Sequence, residues 1–368
     1  MNIPLASPDI TDLERRYVME VLSTPHLSLG PKLVEFEKHL ASYAGTRHAV
    51  AVNSGTSALH LIVRALGIKE GDEVITTPFT FIASANCILF EGARPVFADI
   101  EPATLNIDPS LVEKAITPRT KAILAVDIFG HPAQWDQLSA LAETYHLGLI
   151  EDSAEAIGSE YHGRRCGSFG DAAIFAFYPN KQMTTGEGGA VLTNDDNIAQ
   201  LCRSMRNQGR SDGDGWLQHT RLGYNYRLSE INCALGIAQL ERIEDMLRAR
   251  TKVAKLYDER LGDLAQVRVL RIASGVKLSY FVYVIRLSDD YTREKRDEIL
   301  RGLLARGVGC RDYFAPVHLQ PVYREMGYGE GDFPMTEAVA ARTIALPFYN
   351  NLREEEIDYV VSQLKELL

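Results

Sequence analysis

The segment HAVAVNSGTSALHLIVRAL, residues 48–66, begins with a short apolar run and continues with helically spaced apolar residues. Residues 48–52 have the length and composition of a buried strand, and residues 56–66 of the helix that follows it. Further strands are predicted at 73–76, 95–98, 122–126 and 147–150, and helices at 11–22, 31–43, 83–90, 109–116 and 134–146. Short apolar strands alternating with amphipathic helices indicate βαβ units and a mostly parallel sheet. An all-helical fold does not suit these strand lengths or the placement of Gly and Pro.

The pattern changes after residue 223. Residues 229–261 are predicted to form one long helix or a helix pair. Strand-like segments follow at 267–270 and 280–287, and helices are predicted at 293–305 and 353–368. This part is predicted to be a smaller α+β unit. The fold class is therefore α/β, with a large domain over residues 1–240 and a small C-terminal domain over residues 241–368.

Composition excludes several classes of function. The 368 residues include 39 Lys+Arg and 49 Asp+Glu, and the net charge of -10 argues against nucleic-acid binding and against attachment to an anionic membrane. The five cysteines are far apart and form no CxxC pair, so we expect no metal site and a reducing compartment. The sequence has no signal-peptide core and no apolar run near 20 residues, which predicts a cytoplasmic protein.

The motif NSGTSALHL, residues 53–61, joins the first strand to its helix. Free backbone N–H groups and the helix dipole at such a junction bind anions, phosphate above all. Thr56 and Ser57 can add hydroxyl donors. The alternative is structural, because Asn53 or Ser54 can simply cap the helix. The motif matches neither a Walker loop nor a GxGxxG fingerprint.

Two further residues suggest chemistry. Asp152 follows a buried parallel strand, where open α/β sheets place their ligands, and it could meet a metal, a ribose or a protonated ring nitrogen, or cap a helix. Lys181 lies between a hydrophobic strand and a Gly-rich turn, where an apolar pocket would free its amine as a nucleophile. A lone loop lysine is otherwise a solvated charge. Together with the phosphate motif, the pair matches the needs of pyridoxal phosphate.

Several motifs then follow one another in order along nearly the whole chain: GPKLVEFE (30–37), HAVAVNSGTSALHL (48–61), GDEVITTPFTFIASAN (71–86), PVFADIEPATLNID (95–108), EDSAEAIG (151–158), FYPNKQMTTGEGG (177–189) and GYNYRLSEINCALGIAQL (223–240). In these motifs the chain resembles the DegT-type sugar aminotransferases of the fold-type I pyridoxal-phosphate superfamily. The resemblance implies an aminotransferase that uses this cofactor and works as a homodimer with shared active sites.

By resemblance, Lys181 bonds covalently to the cofactor and later moves the proton as general acid and base. Asp152 pairs with the pyridinium nitrogen, and Phe81 stacks on one face of the ring. Glu155 stands where many members have a Gln facing the cofactor's phenolic oxygen. A carboxylate repels a phenolate, so Glu155 would be protonated, turned away or partnered by a cation.

The resemblance also implies a phosphate site made by Gly55, Thr56 and Ser57. Asn225 would reach the phosphate in the neighbouring subunit, and Arg227 would bind the substrate's diphosphate there. Many members carry a Ser five residues before the lysine, whereas this chain has Ala176. One phosphate donor is therefore absent at that position, and the other hydroxyls, Asn225 or water must compensate.

A branch of the family that dehydrates sugars replaces the lysine with His, so Lys181 favours transamination. The resemblance implies a nucleotide-linked keto-deoxysugar, most often a 4-keto-6-deoxyhexose, with L-glutamate as amino donor. The candidate residues on the sugar side are Leu27, Ser28, Tyr313, His318 and Arg342, of which Tyr313 and His318 could instead be structural. The alternatives are a transaminase of a free cyclic ketone, such as an inositol or an aminobenzoate precursor, and a non-catalytic cofactor-binding regulator.

Overall fold

The structure is a computed structural model that describes residues 1–211, 213 and 218–368. Its helices are α1 Asp12–Leu22, α2 Pro31–Ala44, α3 Gly55–Ala65, α4 Ala83–Leu89, α5 Pro109–Ala115, α6 Trp135–Tyr145, α7 Asp196–Arg206, α8 Glu230–Glu241, α9 Ile243–Leu261, α10 Arg293–Ala305, α11 Pro321–Arg324, α12 Pro334–Ala340 and α13 Glu354–Lys365. Its strands are β1 His48–Val52, β2 Glu73–Thr76, β3 Arg94–Phe97, β4 Thr120–Val126, β5 Gly148–Asp152, β6 Glu160–Tyr161, β7 Arg164–Arg165, β8 Ala172–Ala176, β9 Gly189–Thr193, β10 Val267–Val269, β11 Val276–Lys277, β12 Tyr283–Leu287 and β13 Thr343–Leu346.

Local signals set many helix starts. Ser54 caps α3 by accepting a hydrogen bond from the N–H of Ser57, and Asp108 caps α5 in the same way through the N–H of Ser110. A proline at the first position of α2 and of α5 supplies a φ angle that suits a helix start. Such caps satisfy backbone N–H groups that have no partner within the helix. The sequence therefore places these starts to within a residue.

The central sheet has seven strands in the order β1-β9-β8-β5-β4-β2-β3. β9 pairs antiparallel with both neighbours, and the pairs from β8 to β3 are parallel. The predicted α/β class with a mostly parallel sheet is confirmed. The twelve-residue connection between β8 and β9 carries Lys181 and contains no helix, unlike the usual crossover between parallel strands.

The C-terminal part is built on the antiparallel sheet β10-β12-β13, and a third small sheet has the order β11-β6-β7. The region predicted as one helix or two is the pair α8 and α9, which meet at Arg242. One apolar cluster, called here the C-terminal cluster, is built around Tyr283, Ile344 and Ile357. Ile3 also belongs to it and bridges to Val308. The domain division at residue 240 stays a prediction.

Helix α9 contributes to two clusters. Its first turns place Met246 and Leu247 in a cluster with Phe36, called here the α2 cluster. Its last turns place Tyr257 and Leu261 in the C-terminal cluster. None of the helices in the described part of the chain combines the length and the apolar character needed to cross a membrane.

Candidate functional site

A cavity of about 620 Å³ opens at the carboxyl ends of the central strands. Ligands of open α/β sheets bind at this edge because successive loops converge there. The structure brings together in its wall the predicted residues Gly55, Thr56, Phe81, Asp152, Glu155, Lys181 and Tyr313. Other lining residues include Ser84, Ala176, Asn180, Glu187, Phe281 and Phe314.

Asp152 is the last residue of β5 and is buried. Its Oδ2 accepts a hydrogen bond of 2.7 Å from the hydroxyl of Ser84, and its Oδ1 accepts one of 3.1 Å from the N–H of Ala154. Burial raises the pKa of Asp152, and the two donors together with the charge of Lys181 oppose that rise. The site therefore holds a desolvated carboxyl whose charged form depends on these few partners.

Lys181 lies opposite, in the loop between β8 and β9, and its side chain is 12% exposed. Its Nζ is 3.5 Å from Oε1 of Glu155 and 3.9 Å from the ring centre of Phe281. Glu155 also accepts a hydrogen bond of 2.9 Å from the N–H of Phe129. Burial raises the pKa of Glu155, and the Lys181 ammonium opposes that rise. Of the three states considered for Glu155, the structure shows a side chain with a cationic partner.

Two buried residues that the sequence did not single out hold this loop in place. Arg250 of α9 donates hydrogen bonds of 3.1 Å to the carbonyls of both Lys181 and Phe281. Gln182 donates to the carbonyl of Glu155 at 2.6 Å. Burial lowers the pKa of Arg250 to about 10. Arg250 and Gln182 thus fix the backbone on both sides of the amine.

The start of α3 forms the opposite wall. Ser57 donates to Oδ1 of Asn53 at 2.7 Å, so its hydroxyl is already used within the cap, whereas Thr56 lines the cavity. Gly55 packs so closely on β8 that a Cβ added to it would lie 2.8 Å from the Cβ of Ala176. The start of α3, at Gly55 and Thr56, therefore lies in the cavity wall next to a small residue, and the first N–H groups of a helix have no partner within it.

Phe81, Tyr313 and Phe314 are three of the aromatic residues in the cavity wall. Phe81 is 60% exposed. The ring of Tyr313 stacks on Phe314 with 4.8 Å between ring centres, and both line the cavity. Tyr313 thus packs against a neighbouring ring and also lines the cavity, and its contact with the sugar stays a prediction.

Asn225 is exposed and lies outside the cavity wall of its own chain. Tyr224 and Tyr226 flank it and stack on each other with ring centres 4.8 Å apart. The hydroxyl of Tyr226 is 3.1 Å from Nδ1 of the buried His60, whose Nε2 is 2.7 Å from Glu91. The two tyrosines thus anchor the segment against the protein while Asn225 faces outward.

The remaining predicted residues also lie outside the wall. Leu27 and Ser28 are exposed, and Arg227 donates to the side chain of Asn207 at 3.0 Å. His318 is fully buried with Nε2 3.1 Å from Glu337, and burial lowers its pKa.

Arg342 bonds to backbone carbonyls of the C-terminal part, including that of Tyr291 at 2.9 Å. Its guanidinium therefore stabilises the link between α12 and β13 and is directed away from the cavity. In this chain, the geometry of His318 and Arg342 is that of structural side chains.

A pair of buried carboxyls, Asp127 and Glu151, lies next to the site. The hydroxyl of Ser153 bonds to both, and Glu151 also accepts from the N–H groups of Gly167 and Phe169 at 2.7 Å. Burial raises the pKa of Asp127 to about 6 and also raises the pKa of Glu151. Where these carboxyls are charged, their burial lowers the stability of the folded state.

The sequence missed Ser84, Asn180, Phe281 and Arg250. Ser84 lies in the motif at residues 71–86 and Asn180 in the motif at residues 177–189. Their place in these motifs was the one sequence signal that could have identified them. Phe281 and Arg250 come from the C-terminal third, where no local pattern marks them.

Comparison with known proteins gives consistent results. The family model described as the DegT/DnrJ/EryC1/StrS aminotransferase family matches residues 8–365. A GDP-perosamine synthase of Caulobacter vibrioides is 40% identical, over 100% of this chain and 98% of that protein.

Two solved structures show the same agreement in fold. The PLP form of a putative sugar aminotransferase from Streptococcus pneumoniae has a TM-score of 0.95 at 29% identity, covering 100% of both chains. Helicobacter pylori PseC, an aminotransferase involved in the biosynthesis of pseudoaminic acid, has a TM-score of 0.94 at 30% identity, covering 100% of this chain and 99% of that one.

Proposed function

Because the chain belongs to the DegT/DnrJ/EryC1/StrS aminotransferase family, whose members depend on pyridoxal phosphate, we propose that it aminates a nucleotide-linked keto-deoxysugar with L-glutamate as donor. The observation that carries the proposal is the convergence of three groups in one cavity. These are the amine of Lys181, the buried carboxyl of Asp152 and the start of α3.

The residues present fit pyridoxal phosphate. The start of α3 offers N–H groups and the Thr56 hydroxyl to a phosphate, and the lack of a side chain at Gly55 lets α3 pack closely on β8 beside them. Within the described residues, Oδ1 of the cavity-lining Asn180 is buried without a hydrogen-bond partner, so this oxygen is available to accept a hydrogen bond from a ligand. When bound, the cofactor supplies an electron sink for the carbon that exchanges the amino group.

The protein's own groups have distinct tasks in this proposal. Lys181 holds the cofactor and then carries a proton between two carbons, within reach of Glu155. Asp152 stabilises a cation at the pyridine nitrogen, and Ser84 keeps that carboxylate oriented. Phe81, which lines the cavity, would stack on one face of the cofactor's ring. Arg250 keeps the lysine backbone fixed while the amine moves.

Lys181 provides the direct test. Borohydride reduction of the holoenzyme, followed by peptide mass spectrometry, should find the cofactor attached to Lys181. Lys181→Ala should abolish turnover. A cofactor trapped elsewhere, or full turnover of Lys181→Ala, would contradict the proposal.

The substrate class rests on the relatives, of which one is named a GDP-perosamine synthase and another a spore coat polysaccharide biosynthesis protein. We infer a role in aminosugar and polysaccharide biosynthesis. GDP-, UDP- and dTDP-linked 4-keto-6-deoxyhexoses should be tested beside free cyclic ketones, with glutamate as donor. Amination of a free ketone alone would support the alternative substrate. Absence even of the half-reaction with glutamate would support a regulator.

The dimer is part of the proposal. Asn225 is exposed on an anchored segment, which suits a residue that completes a partner's site. Lys181→Ala should be inactive alone, and Asn225→Ala should have weak activity alone. Refolded together, they should recover about a quarter of wild-type activity, since half the dimers are mixed and each has one intact site. No recovery would refute shared sites.

A cytoplasmic location is also proposed. All five cysteines are free and buried, as suits a reducing compartment. Cell fractionation with an antibody against the native protein would test this.

A further inference from the structure

A second cavity, of about 200 Å³, lies between the sheet β10-β12-β13 and the loop after β3. Its wall includes Arg268, Arg271 and Arg286 together with the apolar side chains of Leu105 and Phe129. The proposed function makes no use of any of these arginines. Their number in so small a cavity calls for an explanation.

The pairing register places two arginines side by side. Arg268 of β10 is directly opposite Arg286 of β12, and Arg286 is directly opposite Thr343 of β13. Residues in register share one face of an antiparallel sheet, and like charges directly opposite each other are destabilising. Neighbouring residues of β12, such as Ile285, belong to the C-terminal cluster, so this row faces the cavity.

The charges in the row are poorly compensated. Asp289 pairs with Arg268 at 2.9 Å and with Arg342 at 3.7 Å. Across residues 1–211, 213 and 218–368, neither Arg271 nor Arg286 has a carboxylate within 4.0 Å, and the Arg286 guanidinium reaches one carbonyl, that of Pro102, at 3.5 Å. The half-buried guanidinium of Arg286 therefore has no carboxylate at ion-pair distance among these residues, and it shares the more distant Asp289 with two other arginines.

The third member of the row adds an independent observation. Thr343 is fully buried, and its hydroxyl has no hydrogen-bond partner in the described part of the chain. A buried hydroxyl without a partner destabilises the folded state. It stands in the same wall as the guanidinium groups and can donate to an anion that they attract.

We propose that this cavity is a binding site for a small organic anion, with the anionic head on Arg286, Arg271 and the Thr343 hydroxyl and the apolar body against Phe129 and Leu105. Guanidinium groups bind carboxylates and phosphates through two parallel hydrogen bonds. The volume suits a ligand the size of a benzoate and is below the roughly 300–1,000 Å³ typical of pockets for larger ligands. The proposal does not depend on the reaction catalysed in the larger cavity.

The test uses the cofactor-saturated holoenzyme and 4-bromobenzoate. Calorimetric titration should give saturable binding at one site, and crystals soaked with the probe should show the bromine's anomalous peak beside Phe129. Inorganic phosphate should compete if the site accepts phosphate heads, and failure to compete would assign it to carboxylates. The neutral 4-bromobenzyl alcohol should bind at least tenfold more weakly.

Three variants make the outcome decisive. Arg286→Gln should weaken binding at least tenfold, and Thr343→Val should weaken it several-fold while preserving the fold, because its hydroxyl has no partner to lose. Arg301→Gln is the matched control, because Arg301 is exposed on α10 outside this cavity, and it should bind as the wild type does. Equal affinities in all proteins, or a bromine peak only in the larger cavity, would overturn the proposal whether or not the enzyme aminates sugars.

Discussion

Replacing Ser84 by Ala would test how the buried carboxyl is controlled. Ser84 is 1% exposed, and its hydroxyl donates to Asp152 at 2.7 Å. A hydrogen bond to a charged group contributes about 1.5–3 kcal/mol, and 1.4 kcal/mol corresponds to about one pKa unit. The donor favours the charged carboxylate. Its loss should therefore raise the pKa of Asp152 further.

The kinetic consequence follows from the sign of that shift. The carboxylate would form only at higher pH, so the acid limb of kcat/KM should move to higher pH. A loss of about 1.5–3 kcal/mol in stabilisation of the carboxylate should lower kcat/KM on that limb about tenfold to a hundredfold. The assay is single-turnover conversion of the bound cofactor with glutamate, followed by absorbance between pH 5.5 and 9.

A matched control is available in Ser204, which is also buried but whose hydroxyl has no hydrogen-bond partner among the described residues. Ser204→Ala should leave the rate and the pH profile unchanged. If Ser84→Ala stays within twofold of Ser204→Ala and its acid limb does not move, the assigned control of Asp152 is refuted.

Three other outcomes are expected. Arg250→Met removes the hydrogen-bond donor of two buried carbonyls, those of Lys181 and Phe281. It should therefore lower the free energy of unfolding by about 2–4 kcal/mol in urea titrations and should also reduce kcat. An unchanged kcat would argue that Arg250 does not position Lys181. Thr56→Ala should weaken cofactor binding about tenfold in equilibrium dialysis, whereas Ser57→Ala should mainly destabilise the fold. Equal losses of cofactor affinity in the two variants would contradict the placement of Thr56 in the cavity and of Ser57 in the helix cap. Because the pKa of Asp127 is raised to about 6, the folded state binds its proton more tightly, so stability should fall by up to about 3 kcal/mol between pH 4 and 6. Asp127→Asn should flatten that slope in urea titrations, and an unaltered slope would assign it to other groups.

Sequence reasoning succeeded where the signal is local. The strand His48–Val52 and the helix Gly55–Ala65 follow from an apolar run, a capping Ser54 and helical spacing, all within twenty residues. The cavity edge was predictable too, because parallel strands deliver their following loops to one side. The positions of Asp152 and Lys181 at that edge follow from the same argument.

Other parts of the site depend on contacts between distant segments. Ser84 meets Asp152 across 68 residues of chain, and Arg250 meets Lys181 across 69. No spacing pattern encodes such contacts, because they arise from packing. His318 shows the converse case, since a histidine whose role the sequence left open proves to be fully buried with Nε2 against Glu337. Its burial is a property of the neighbouring elements.

Helix α9 has a consequence for how the molecule melts. It is 19 residues long, about 28 Å, and is continuous from the α2 cluster to the C-terminal cluster. Loss of packing in either cluster would expose one end of the helix. The helical hydrogen bonds would then break progressively from that end toward the opposite end. The two halves should therefore denature as one cooperative unit in calorimetry, and the segment around Lys181, held by Arg250 at mid-helix, should lose its order in the same transition.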